Sequence, residues 1–508
     1  MNVSARRYAV GLAAVLALAL ITNCGSSDDE PTATPGVDAG PGRRNDGGAA
    51  GSNACGGSQT LSEQPGEPCG PCGVDKLVCN GQNAVTCGGQ TTSCWVQAAA
   101  GSTHTCGIRG DGSLWCWGEA ANGKLGNGSS TGNQSSPVRV QASGGNGETP
   151  WTDWIAIAAG GTHTCGLRSN GTAWCWGDGA NGRRGDAATT ATRNTPVQVL
   201  AAGETAGGTT WSDWKTIAAG PDHTCGVRST GSAWCWGSGA SGQLGDGNTA
   251  ATRSTPAQVL AVVGTETPWT DWSALTMGSA HTCGHRTTGS LWCWGSGTDG
   301  LRGDGVDNAG AAGRRTRPVQ VLASGQVEGG NAWSDWDQIA SGDAHSCGLR
   351  SDGTAWCWGV GQYGRLGDGK GAAADVALVP VQVLAGGASE GGATWNDWVS
   401  VVASSGTFSC GIREGGSLWC WGGGGNGKLG NGNVGPDQLS PVRVLAEGAS
   451  EGGQAWSDWK SVVAGVAHAC GIRTDGSLWC WGRGSSGERG DGTTEASRGT
   501  PVKVREPQ

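Results

Sequence analysis

The sequence predicts an all-β protein whose main body is a seven-bladed β-propeller. Three observations carry this reading: a unit of about 60 residues recurs seven times between positions 95 and 508, each unit reads as four short strands, and the stretch holds whole units with no remainder. The first cysteines of the units stand at 106, 165, 225, 283, 347, 410 and 470. Four-stranded units that need a neighbour on both faces form an array, and closing the array into a ring hides the edges that an open stack exposes.

Composition agrees with order. The 98 glycines and 18 prolines would suit a disordered chain if scattered, but most glycines fall at fixed phases of the repeat. Phe, Tyr and Met are nearly absent against 27 tryptophans, so indole rings supply much of the core. The formal charge is −9, with Lys and Arg scattered and no basic stripe, which argues against nucleic acid as a partner.

Residues 1–24 place Arg6 and Arg7 before an apolar run from Tyr8 to Thr22, short for a bilayer span and typical of an export signal. Ile21-Thr22-Asn23-Cys24 resembles a bacterial lipoprotein cleavage box, which implies acylation at Cys24; the alternative is ordinary signal cleavage nearby. Residues 25–54 are small, polar and proline-containing, hence a flexible tether. Residues 55–94 carry Cys55, Cys69, Cys72, Cys79, Cys87 and Cys94, a small module stapled by up to three disulfides. Within it Cys69-Gly-Pro-Cys72 matches a four-letter redox motif, but no strand-helix-strand pattern surrounds it, and a structural role is the preferred reading.

Each unit of the 95–508 body opens on a short strand rich in Ala, Val and Ser, and continues with a hairpin such as HTCGIRGDGSLWCWG at 104–118. G-x-x-G, a variable loop and a last strand such as Pro-Val-Arg-Val follow. A three-residue hairpin loop at 110–112 with Gly112 left-handed sets Cys106 directly across from Cys116. At a non-hydrogen-bonded site such residues approach to a Cα separation of about 4.5 Å, within disulfide reach. The same pairing joins Cys165–Cys175, Cys225–Cys235, Cys283–Cys293, Cys347–Cys357, Cys410–Cys420 and Cys470–Cys480. Trp115 and Trp117 then point to the opposite face, so one blade presents sulfur and its neighbour receives it with indole.

Zinc is the competing use of His104, Cys106 and Cys116, since two ligands on one strand face a third across the pair. The sixth unit argues against it: Phe408 replaces the histidine while Cys410 and Cys420 persist. The histidines are expected to bond nearby backbone instead. No cofactor and no catalytic constellation follow from the motifs.

W-x-D-W appears six times between units, with tryptophans at Trp151 and Trp154, Trp211 and Trp214, Trp269 and Trp272, Trp333 and Trp336, Trp395 and Trp398, and Trp456 and Trp459. Packing at the strand entrance is the leading reading, and a sugar-stacking rim is the functional alternative. Arg109, Arg168, Arg228, Arg286, Arg350, Arg413 and Arg473 end the second strands on the same side, which allows a repeated Arg–Asp pair. The divergent loops, 306–317, 370–378 and 433–440 among them, lie at the opposite end and are the expected partner-binding surface.

The run of A-A-G, H-T-C-G-[ILV]-R, D-G-S-L-W-C-W-G, G-x-L-G-D-G and P-V-x-V resembles the regulator-of-chromosome-condensation repeat, especially its bacterial exported versions. The resemblance covers 95–508 and implies a seven-bladed propeller, in agreement with the unit count. The expected function is a non-enzymatic, monomeric, lipid-anchored scaffold of the outer membrane or cell surface, or else secreted, that binds a protein or glycan of the envelope. By resemblance, the alternatives are guanine-nucleotide exchange on a GTPase and inhibition of a secreted enzyme.

Overall fold

A computed structural model of the chain describes residues 93–507 apart from 144–147, 250–251, 265–266, 309 and 311–312, together with three strands between 68 and 88. The signal segment with Cys24 and the tether at 25–54 lie outside the described residues. Two units are distinct, and each is described by itself.

In the smaller unit, β1 (Pro68–Cys69), β2 (Asp75–Cys79) and β3 (Val85–Gly88) form an antiparallel sheet in that order. Cys69 of the redox-like motif closes its edge strand.

The larger unit consists of seven four-stranded antiparallel sheets, each continuous in sequence. The first blade is β4 (Trp95–Ala100), β5 (His104–Arg109), β6 (Leu114–Gly118) and β7 (Gln134–Arg139). The first strands of the other blades begin at Trp154, Trp214, Trp272, Trp336, Trp398 and Trp459. First strands of neighbouring blades pack together all the way round, the last against β4, which sets them about the axis and the fourth strands at the periphery.

The hairpin between second and third strands follows from its turn. The Arg109 amide donates to the Ser113 carbonyl (2.9 Å), and Gly112 takes φ +73°, a left-handed value that favours glycine. That register sets Cys106 opposite Cys116. All seven hairpin pairs are disulfide-bonded, with Cα separations of 4.0 to 4.1 Å, the close spacing of a non-hydrogen-bonded pair.

Alternation along the strand then decides what fills the seams. Cys106 and Cys116 pack with Trp154 and Trp176 of the second blade, and the same arrangement repeats until Cys470 and Cys480 meet Trp95 and Trp117 of the first. Glycine makes the approach possible: a Cβ on Gly126 would lie 2.7 Å from Trp176 Nε1. Each Trp of the Trp176 type is fully buried and removes roughly 200 Å² of apolar surface from water.

A polar clasp crosses the same seams, and neither hairpin geometry nor periodicity foretold it. His104 Nε2 meets Thr164 Oγ1 of the next blade at 2.8 Å, and that hydroxyl donates to the Lys124 carbonyl of the first blade. Trp176 Nε1 donates to the same carbonyl at 2.9 Å. A hydroxyl that donates to a carbonyl must accept from the ring, so His104 is the neutral Nε2–H tautomer. His163 with Thr224, His223 with Thr282, His281 with Ser346, His345 with Ser409 and His468 with Thr105 repeat the cross-seam bond. The histidines therefore bond hydroxyls of the next blade rather than nearby backbone, which corrects the sequence reading.

The exception proves matched. Phe408 stands in place of the histidine, and the next blade carries Ala469 in place of the hydroxyl, both fully buried. An apolar pair thus replaces a polar one at a single seam, with no donor left unsatisfied.

Thr224→Ala leaves the His163 Nε2–H without its acceptor and should cost about 1–3 kcal/mol in urea denaturation. Adding His163→Phe copies the sixth seam and should recover part of that loss; strictly additive costs would show that the two residues do not act as a pair.

Candidate functional site

The propeller has two unlike ends. One gathers the hairpin turns and the entrances of the first strands; the other gathers the turns after the first strands and the variable loops after the third.

At the entrance end each W-x-D-W is spent on packing. Arg168 Nε donates to Asp153 Oδ1 at 2.8 Å, and its guanidinium lies 4.0 Å from the Trp151 ring centre. The Arg–Asp pair recurs at Arg228–Asp213, Arg286–Asp271, Arg350–Asp335, Arg413–Asp397 and Arg473–Asp458, between 2.7 and 2.8 Å. Guanidinium over the first tryptophan recurs in all six, between 3.7 and 4.4 Å. These pairs are half-exposed, and each contributes at most about 1 kcal/mol.

The same packing weighs against the sugar-stacking alternative. Trp154, Trp214, Trp272, Trp336, Trp398 and Trp459 are buried, so they offer no face to a ring. Trp151, Trp211, Trp269, Trp333, Trp395 and Trp456 are half-buried, each covered by its arginine and set 4.6 to 4.8 Å from a third-strand tryptophan. Stacking on them would first displace a paired guanidinium.

The first blade shows what sequence could not reach. Cys94, itself disulfide-bonded, occupies the aspartate position before Trp95, and Arg109 pairs instead with Glu506 at 3.1 Å. Nothing local signals a partner almost four hundred positions away.

The zinc alternative meets two occupied ligand types. Cys106 and Cys116 are bonded to each other, and His104 Nε2 is engaged by Thr164. Among the described residues no cluster of three or more His, Cys, Asp or Glu could hold a metal ion.

The loop end carries the asymmetry. Here Lys124 pairs with Glu119 at 2.5 Å in the first blade, Arg183 with Asp178 at 3.5 Å and Asp222 at 2.8 Å at the second, and Arg483 with Glu488 at 2.8 Å in the seventh. Arg365 and Lys428 align with Lys124 and Arg183, with Val360 and Gly423 at the acid position; blade seven reverses the pair as Arg483 and Glu488, and blades three and four carry Ser238 with Gln243 and Ser296 with Leu301. Of the five exposed large hydrophobics among the described residues, Tyr363, Val434 and Leu439 belong to this part of the loop end. The propeller thus has a repetitive, internally paired end and a variable end.

The six clasp histidines are fully buried, and burial holds their pKa down, to about 3 for His223 and about 4 for His281 and His468. Near-neutral pH leaves both folded and unfolded rings mostly uncharged. Below about 6.5 the unfolded chain binds protons that the native seams refuse, so stability falls with pH by about 1.4 kcal/mol per unit for each histidine. Asp343, raised to about 6 by burial, opposes this with one proton. The melting temperature should stay level from pH 7 to 8 and drop steeply from pH 6 to 4, with net proton uptake on unfolding in calorimetry; a level profile down to pH 4 would contradict the neutral clasp.

Comparison with known proteins agrees with this geometry. A model of the regulator of chromosome condensation (RCC1) repeat matches residues 111–167 and 230–284, and a second of the same description matches 95–124, 154–183, 214–243, 336–365 and 459–488. The ultraviolet-B receptor UVR8 of Arabidopsis thaliana is 25% identical over 399 residues, 78% of either chain. The mitochondrial RCC1 domain-containing protein RUG3 of the same plant is 29% identical over 346 residues, 66% of this chain and 67% of the relative. The human E3 ubiquitin-protein ligase HERC2 is 27% identical over 342 residues, but the match spans 6% of its length. Among solved structures, Prp20p of Saccharomyces cerevisiae superposes with a TM-score of 0.60 at 20% identity, covering 77% of this chain and 86% of that one. Human WBSCR16 gives 0.57 at 19% identity, covering 76% and 88%. The seven disulfide-braced blades, their shared repeat and these matches identify the chain as an RCC1-like repeat protein with a seven-bladed propeller fold.

Proposed function

We propose that the protein is an exported, non-enzymatic binding scaffold of the cell envelope, held at a membrane through an acylated Cys24 and engaging a protein partner with the loop end of its propeller. One observation carries the reading. The recurrent groups capable of chemistry, histidine and cysteine, are buried and committed to the seams, while the segments that differ from blade to blade lie at one end. Seven buried disulfides require an oxidising compartment to form, which supports export. No helix among the described residues is long and apolar enough to cross a membrane.

The test uses the full chain with and without Cys24. Wild type should partition into detergent with a mass increase on the peptide that begins at Cys24, and Cys24→Ala should abolish both. Immobilised protein should then enrich a specific envelope protein, and exchanging the 433–440 loop for its first-blade counterpart should release it. An unmodified N-terminus together with empty captures would overturn the proposal. A scaffold leaves nucleotide release from small GTPases and the rates of secreted hydrolases unchanged, so a change in either would favour the exchange or inhibitor reading.

A further inference from the structure

Four blades place a cation at the loop-end position of Lys124: blades one and two pair it with an acid, and blades five and six do not. Arg365 and Lys428 are 5% and 8% exposed, and among the described residues neither has a carboxylate within ion-pair distance. Arg365 Nε donates to the Gln362 carbonyl, and Lys428 Nζ donates to Thr407 Oγ1 at 2.7 Å. Blade six records the missing partner directly: a Cβ on Gly423 would lie 3.5 Å from Lys428 Nζ, where blade one places Glu119 against Lys124. Blade five carries Val360 at that position. Burial of unpaired cations is unfavourable, and here it pulls the pKa of both groups down. The exposed Asp437 acts on Lys428 only at longer range. In the neighbouring turn, Asp343 Oδ1 has no hydrogen bond and forms no ion pair with either cation.

Two further features lie beside them. Tyr363 holds a left-handed φ of +67°, where blades one, two, four and six place Asn122, Asn181, Asp299 and Asn426. A bulky residue there is strained, and such strain gathers at functional sites. Its ring lies 5.8 Å from the Arg365 guanidinium and is 39% exposed. Leu439 of the sixth blade, 42% exposed, packs against Gly364 and Gly371 of the fifth, which sets an apolar contact across the same seam.

We infer that the seam between blades five and six is a carboxylate-binding site, in which Arg365 and Lys428 receive the acid that Val360 and Gly423 do not supply, with Tyr363 and Leu439 receiving an apolar neighbour of that acid. The apolar contact favours a carboxylate borne on a peptide over a free small acid. This rests on the scaffold reading and names the chemistry its partner presents.

The probe is a fluorescein-labelled decapeptide of alternating Glu and Leu, measured by anisotropy against the full chain, with the Gln-for-Glu peptide as control and free glutarate as competitor. The Glu peptide should bind, the Gln peptide should not, and a tenfold rise in salt should weaken binding. Val360→Glu supplies an internal carboxylate at a position already occupied by a side chain, and should weaken binding at least tenfold with an unchanged melting temperature. The Arg365→Gln/Lys428→Met double variant should do the same. Displacement by glutarate confirms the carboxylate, and binding of glutarate with no binding of the peptide assigns the site to a small acid. Failure of both probes to bind, or binding unchanged in folded Val360→Glu, overturns the inference. If envelope capture also persists in Val360→Glu, the scaffold stands and only this site falls.

Discussion

A pair of cysteines directly opposed across each second-to-third-strand hairpin constrains the rest of the propeller. Opposition at a close pair sets both sulfurs on one face of the blade and both flanking tryptophans on the other. The next blade must then bring indole to sulfur, and seven such contacts close the ring. Each bond closes a short loop and contributes about 3 kcal/mol by restricting the unfolded chain. Its larger consequence is geometric, because a one-residue slip would exchange the two faces.

With the faces assigned, the polar clasp has a place to form. At every seam but the one between blades six and seven it lies one residue and two residues before the first cysteine of the hairpin, where a hydroxyl faces the preceding blade and a histidine the following one. A single carbonyl such as that of Lys124 accepts from both a hydroxyl and an indole of the next blade. Sulfur, indole and imidazole are thereby consumed by architecture. At the loop end, the surface proposed for a partner, the charge pattern is uneven: blades one, two and seven pair their cations internally, and the adjacent blades five and six do not.

Much of this was legible in the sequence because the repeat reports on itself. Seven copies set the blade number, and the turn glycine sets the disulfide register. The Arg–Asp pairs followed from counting strands. The histidine partner was missed, since a cross-seam contact joins residues about sixty positions apart and leaves no local periodicity. Its signal was present in the one irregular seam, where Phe408 and Ala469 depart from the repeat in adjacent units. Spacing revealed the tryptophans at the strand entrance but not the guanidinium that covers each first one. Glu506 lies far from Arg109 in the chain, and Val360 and Gly423 are informative only against the acids of other blades.

The most direct test of the account is peptide mapping of the purified protein without reductant, after alkylation of free thiols. The account predicts seven linked peptides, each joining cysteines ten positions apart within one hairpin, and no alkylation at those fourteen positions. Alkylated hairpin cysteines in folded protein, or links between different blades, would contradict the bracing, the sulfur-to-indole seams and the oxidising compartment together.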